Sequence, residues 1–152
     1  MEQQETHILQ PGQLLARGVS RLMASHGVAC IEELVPSRGL RVDVMALSQK
    51  GEIWIVECKS SRADFLTDHK WEGYLEWCDR FFWAVDTEFP SELLGDNAGL
   101  ILADAYGGEI IRMGSERKLS PSRRRALTQK FAATAARRLQ KLKDPDSIAF
   151  TA

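Results

Sequence analysis

Apolar residues recur at helical spacing at Leu14, Leu15, Val19, Leu22 and Met23, between Pro11-Gly12 and Gly27, and predict a helix over roughly 12–26. The pattern then changes period. Cys30–Val35 reads as a short strand, and Pro36-Ser37-Arg38-Gly39 as a turn. Arg41–Leu47 is apolar on both sides of Asp43, and Ile53–Lys59 is β-branched and aromatic with its charges held to the end. The hairpin character of Gln49-Lys50-Gly51-Glu52 joins these two as consecutive strands. Helical spacing returns from Asp64 to about Cys78, with Phe65, Leu66, Trp71, Tyr74, Leu75 and Cys78 as its buried face. Phe81–Val85 is an unbroken apolar run, as in a central strand covered on both faces. A helical turn at 90–94 and strands at 98–104 and 109–113 follow. Ser120-Pro121 is a strong helix start, and Leu127, Phe131, Ala135, Leu139 and Leu142 predict a helix to about 142 with one apolar stripe. The whole reads as α/β, a mixed central sheet flanked by helices.

At 152 residues the chain suits a single domain over 1–152. The α/β core and its following strands occupy 11–115, a basic helix 117–143, and tails 1–10 and 144–152. Hydrophobic residues at 44% and charged residues at 27% are ordinary for a globular protein. The N-terminus has neither the basic start nor the apolar stretch of a secretory signal, and no apolar run approaches a membrane span, so a cytoplasmic protein that does not engage membranes is expected. Cys30, Cys58 and Cys78 form an odd set without a pairing pattern, which fits reduced thiols. His7 and His26 show no ligand spacing.

The net charge of −1 conceals a strong polarity. Residues 117–143 carry ten Lys or Arg and no acid, which leaves ten basic against 21 acidic residues, a net −11, elsewhere. An acidic body joined to a basic helix points to a partner with phosphates, although a solvated basic face or docking to the acidic body has the same signature. A membrane surface suits this helix poorly, because Ala dominates its apolar face and no Trp anchors it.

The candidate chemistry lies on the two central strands. Alternation puts Glu57 and Lys59 on one face while Cys58 points away, and a hairpin brings Asp43 beside Glu57. Two adjoining carboxylates are costly unless a cation lies between them. Mg²⁺ takes oxygen ligands and keeps several waters, so two carboxylates and a backbone carbonyl would suffice. Such an ion serves phosphodiester hydrolysis, with Lys59 placed to orient water or offset phosphate charge. The competing reading is a surface ion pair among the same residues. That reading would normally come with polar alternation along the whole strand, and both strands are otherwise apolar.

Asp43 followed by Glu57-Cys58-Lys59 resembles the PD-(D/E)XK nuclease superfamily, whose restriction-endonuclease-like core is an αβββαβ unit. The longer run from Glu57 through Phe65, with Asp68, Lys70-Trp71, Tyr74 and Cys78–Phe81, is similar to the MmcB family of bacterial DNA repair proteins. So are Ala98-Gly99-Leu100, Ala103–Gly107 and the basic last helix, and the likeness covers roughly 12–142. It implies a Mg²⁺-dependent DNA endonuclease, with Mn²⁺ a possible substitute. Asp43 and Glu57 would be metal ligands together with the Cys58 backbone carbonyl, and Lys59 the catalytic lysine. Val42 stands where the superfamily's name has proline, and no Asp or Glu lies between Pro11 and Ala29, where many members carry a first-helix acid. Gln13, as a neutral ligand, and Glu33 are the substitutes considered. Arg62, Lys70, Arg123, Arg124, Arg125, Lys130, Arg137 and Arg138 are candidate DNA contacts. Trp71 and Tyr74 fit the core better than base stacking, and Trp77 is unassigned. Asp64 and Asp68 are expected to charge the start of the second helix. The alternatives are a DNA-binding repair accessory without turnover, recruiting repair proteins, and a role in RNA processing or scaffolding. Related nucleases include dimers, but no homodimer interface is legible.

Overall fold

Two segments that share the middle of the sheet, Ile53–Cys58 and Arg80–Val85, are apolar at nearly every position because both of their faces are covered. The computed structural model describes residues 8–147. His7 and the outer parts of both expected tails lie outside them. The elements run α1 (Pro11–Ser25), β1 (Ala29–Glu32), β2 (Val44–Leu47), β3 (Ile53–Cys58), α2 (Arg62–Thr67), a 3-10 helix (Trp71–Trp77), β4 (Arg80–Val85), a 3-10 turn (Ser91–Leu93), β5 (Gly99–Ala103), β6 (Gly108–Arg112) and α3 (Pro121–Lys143). The six strands form one mixed sheet in chain order. Strands β1 to β3 and the β5–β6 pair are antiparallel, while β3, β4 and β5 are parallel. No helix among the described residues is long and apolar enough to cross a membrane.

Each sheet face has its own core. Val44, Ala46, Trp54, Val56, Cys58, Phe82, Ala84 and Ile101 turn toward α1, which buries Leu15, Val19, Leu22 and Met23. Met45, Ile53, Ile55, Phe81, Trp83, Val85 and Leu100 turn toward the 3-10 helix and α3, from which Tyr74, Leu127 and Phe131 pack down. Helix α1 lies so close to the β5–β6 turn that a Cβ at Gly18 would sit 1.7 Å from the Asp104 carbonyl oxygen. Backbone cannot rotate away as a side chain would. Gly18→Ala is therefore expected to cost ~2 kcal/mol or more through overpacking, read as a lower midpoint in urea.

The structure departs from the sequence pattern in four places. Strand β1 stops at Glu32 because Glu33 turns to a left-handed φ of 57°, a strained conformation for a non-glycine residue. Asp43 lies in the bend before β2, not inside the strand. The single helix expected over 64–78 is two pieces, because Asp68 accepts the Lys70 and Trp71 N–H groups (2.8 and 3.1 Å) and stops α2. Asp68 therefore ends that helix, while Asp64 stays in its first turn. Finally, α3 has its Ser120 cap, yet only Leu127 and Phe131 of its stripe are buried, with Leu139 57% and Leu142 80% exposed. At 1.5 Å per residue its 23 residues span about 35 Å, and the exposed Leu139 and Leu142 fall in its last two turns.

A candidate phosphate-chemistry site at the end of β2 and β3

Antiparallel pairing of β2 with β3 sets Val44 opposite Val56, so the next residues outward, Asp43 and Glu57, meet where the ladder ends. They are tied reciprocally. The Cys58 N–H donates to Asp43 Oδ2 (2.7 Å), and the Asp43 N–H donates to Glu57 Oε1 (3.1 Å). The sequence thus brings the intended pair together, with a backbone hydrogen bond fixing each carboxylate. Cys58 contributes that N–H, while its side chain is buried on the α1 face.

Both carboxyls are held above their ordinary range. Burial is the main cause for Asp43, opposed by the Cys58 N–H and the Lys59 charge. Glu57, 4% exposed, is pushed up to about 8 by burial and then by the charge of Asp43. Tyr74 hydroxyl, which donates to the Arg41 carbonyl (2.9 Å), rises to about 12 through burial and the charges of Glu57, Asp43 and Asp68. Glu32 also rises, from burial and from Glu33 and Asp43, which marks it as a further member of the acidic neighbourhood.

Lys59 continues the face of Glu57 but is anchored elsewhere. Its Nζ lies 2.7 Å from Asp68 Oδ2, with both side chains 10% exposed or less. Burial pulls the ammonium down, but the hydrogen bond and charge of Asp68, with Asp64 and Glu57, outweigh it and leave its pKa raised. Burial likewise works against Asp68, and Lys59 with the Lys70 and Trp71 N–H groups brings it below the usual range. Sequence reasoning placed Asp68 at a helix start. Its pairing with Lys59 depends on the chain reversing over Ser60-Ser61, which leaves no periodic signal.

On the α1 side, a cavity of about 690 Å³ opens beside Asp43, lined among others by Gln13, Glu32, Glu33 and Arg41. Gln13 and Glu33 thus border the site. Gln13 Oε1 accepts the Gln10 N–H (2.8 Å), an engagement that caps α1. No group of three or more His, Cys, Asp or Glu among the described residues is arranged to hold a metal ion. Asp43 and Glu57 bring two carboxyl groups together, and these are the residues that could offer oxygen ligands to a hard divalent cation.

The basic residues divide into two sets. Arg124 is committed to Asp79, and Arg123 lies over the Trp77 ring (4.2 Å to the centroid) while donating to the Glu76 carbonyl. Lys130 reaches the Val35 and Pro36 carbonyls, and Arg138 those of Glu32 and Glu33. These four fasten α3 to the body. Arg125 and Arg137 are exposed on α3, and exposed Arg62 opens α2 while exposed Lys70 follows it. Trp71 and Tyr74 pack into the core as expected, and Trp77 is covered by Arg123.

The family model for DNA repair protein MmcB-like matches residues 3–146. The solved structure of the SPO1766 protein of unknown function from Silicibacter pomeroyi is 64% identical, covering 95% of this chain and 99% of that one, with a TM-score of 0.91. No curated protein matches. The chain belongs to the MmcB-like family of DNA repair proteins.

Proposed function

We propose that this member of the MmcB-like family is a metal-dependent DNA endonuclease on a PD-(D/E)XK core, acting in DNA repair in the cytoplasm. The observation that carries the reading is the Asp43–Glu57 pair. Buried Glu57 and half-buried Asp43 share the end of one strand pair, and burial with the Asp43 charge pushes the Glu57 carboxyl up to about 8. Such a pair is unfavourable alone and favourable around a cation. The order α1, β1 to β3, α2, β4 is that of the αβββαβ unit, which also supports the reading.

Asp43 and Glu57 would hold Mg²⁺ or Mn²⁺, with Cys58 lending its carbonyl. The bound ion would polarise a phosphoryl oxygen and lower the pKa of a water. Asp68 holds the Lys59 ammonium charged near the carboxylates, where it offsets phosphate charge. Arg62 and Lys70 extend this positive edge, and Arg125 and Arg137 offer phosphate contacts along α3.

A second reading, a DNA-binding accessory without turnover, is favoured by one set of contacts. Gln13 is occupied in capping α1, and Lys59 is locked to Asp68. The deciding experiment incubates the protein with Mg²⁺ and single-stranded, flapped, branched and damaged DNAs. Nicking of at least one substrate, abolished by chelation, is expected; no cleavage of any substrate favours the accessory reading. Filter binding over a salt series on DNA and RNA tests the basic surface. Affinity should fall steeply, with a log–log slope of about −0.9 per phosphate contacted on duplex DNA. A flat response would remove α3 from the interface.

A further inference from the structure

The cavity of about 690 Å³ beside Asp43 is a cleft between two unlike walls. Gln13 and Arg17 come from α1, which has no acidic residue and whose charged side chains are Arg17 and Arg21. Glu32 and Glu33 come from the other side, at the end of β1. Exposed Arg41 joins the lining two residues before Asp43. Arg17 also reaches beyond the cleft. Its Nε donates to the Ala105 carbonyl (2.8 Å), and its guanidinium lies over the Tyr106 ring, 5.7 Å from the centroid. Because β3 and β5 both run parallel to β4, the turn after β5 that carries Tyr106 stands at the same end of the sheet as Glu57.

Tyr106 is 75% exposed, yet its backbone is fixed. Its N–H donates to Asp104 Oδ1 (2.8 Å), and its carbonyl accepts from Arg21 (3.5 Å). The ring is held out in solvent beside Arg17, which no need of the core explains. We propose that the cleft and Tyr106 form a track for a DNA strand, with Arg17 and Arg41 on its phosphates and an unpaired base stacked on Tyr106. Among the described residues no carboxylate is ion-paired with Arg17, Arg21 or Arg41, which leaves their charges for phosphate. The exposed face of the Tyr106 ring offers a stacking platform that any base can use. A base inside a duplex has both faces covered by its neighbours, so the substrate class that follows is single-stranded DNA or DNA with an unpaired base. This track is separate from the α3 surface. It rests on the DNA reading above but not on cleavage.

The test uses the full chain in EDTA with a short single-stranded oligonucleotide carrying 2-aminopurine, and the same strand in a perfect duplex. Binding of the single strand is expected to quench the 2-aminopurine emission. Tyr106→Ala should lower single-strand affinity about tenfold and remove the quenching while duplex affinity stays unchanged, and Tyr106→Phe should bring both back. Arg41→Ala should weaken single-strand binding severalfold and make its log–log salt slope shallower by about 0.7. Both side chains are exposed, so folding is not at stake, whereas Arg17 is left in place because it also holds the turn. Wild-type affinity and quenching in Tyr106→Ala, or an unchanged salt slope in Arg41→Ala, would overturn the proposal. Loss of the quenching in an Arg125→Ala, Arg137→Ala double variant would place the strand on α3 and overturn it too. A protein that cuts DNA but binds it equally well as Tyr106→Ala refutes this inference alone. One that stacks the base on Tyr106 yet cuts nothing sustains it and refutes the nuclease reading.

Discussion

Glu57→Gln is expected to abolish metal-dependent DNA cleavage while making the metal-free protein more stable at alkaline pH. Both effects have one source. Glu57 binds its proton more tightly folded than unfolded, with a folded pKa of about 8 against an ordinary value of 4.5, because burial and the neighbouring Asp43 charge disfavour its anion. The folded state holds the extra proton between those values, so this group's contribution to stability falls as pH rises from about 4.5 through about 8. A glutamine keeps an oxygen for the Asp43 N–H and never has to ionise. Thermal melts in EDTA should therefore show the variant overtaking the wild type across that window, with an advantage on the order of a few kcal/mol by pH 9. A wild type whose melting temperature does not fall relative to the variant would sink the account. Mg²⁺ should reverse the ranking by stabilising the wild-type anion pair. Cleavage should drop by about 100- to 1,000-fold or more, since a neutral amide cannot replace a carboxylate opposite a hard cation. Asp43→Ala and Lys59→Ala should likewise lose cleavage while staying folded.

The second large effect is structural. Asp79, 1% exposed, accepts from the Ile53 N–H (2.7 Å), the Leu119 N–H (2.9 Å) and both terminal nitrogens of Arg124. One carboxylate thus joins the start of β3, the entry to β4, the approach to α3 and α3 itself. Asp79→Ala leaves two N–H groups and a guanidinium without their acceptor. The expected loss is ~3 kcal/mol, the low end for a broken buried pair because Arg124 is 30% exposed. For a chain of this size that is about 6–12 °C of melting temperature. Limited proteolysis should find α3 cleaved earlier than in the wild type. A melting temperature within about 2 °C of wild type would show that α3 is held mainly by Leu127 and Phe131. The pH dependence has the opposite sign to that of Glu57. Burial raises the Asp79 pKa, but Arg124 and the two N–H groups bring it below the usual range. Its contribution is present above about pH 4 and is lost as pH falls through the folded pKa.

The two carboxylates illustrate how differently sequence speaks of site and scaffold. Asp43 and Glu57 were legible because charges interrupt two apolar strands, and a hairpin admits few registers. Asp79 stood only in the family-like run Cys78–Phe81 and carried no signal of its bracing role, since its partners lie 26, 40 and 45 residues away. Asp68 was visible as an acid near a helix but not as the partner of Lys59. The basic helix was legible as a charge run, yet the division between Arg124, bound to Asp79, and exposed Arg125 depends on which face meets the sheet.

By itself the sequence determined the order of helices and strands, though not the break at Asp68 or the ends of the first two strands, together with the two-faced burial of β3 and β4 and the meeting of Asp43 with Glu57. Each follows from short-range rules: side-chain alternation, helical periodicity, capping and tight turns. Only the tertiary structure decided that Asp68 holds Lys59, that Arg123, Arg124, Lys130 and Arg138 fasten α3 instead of standing free, and that Leu139 and Leu142 of the predicted stripe on α3 stay exposed. These depend on where separate elements come to rest against one another. That is set by the packing of whole faces, and no local pattern records it.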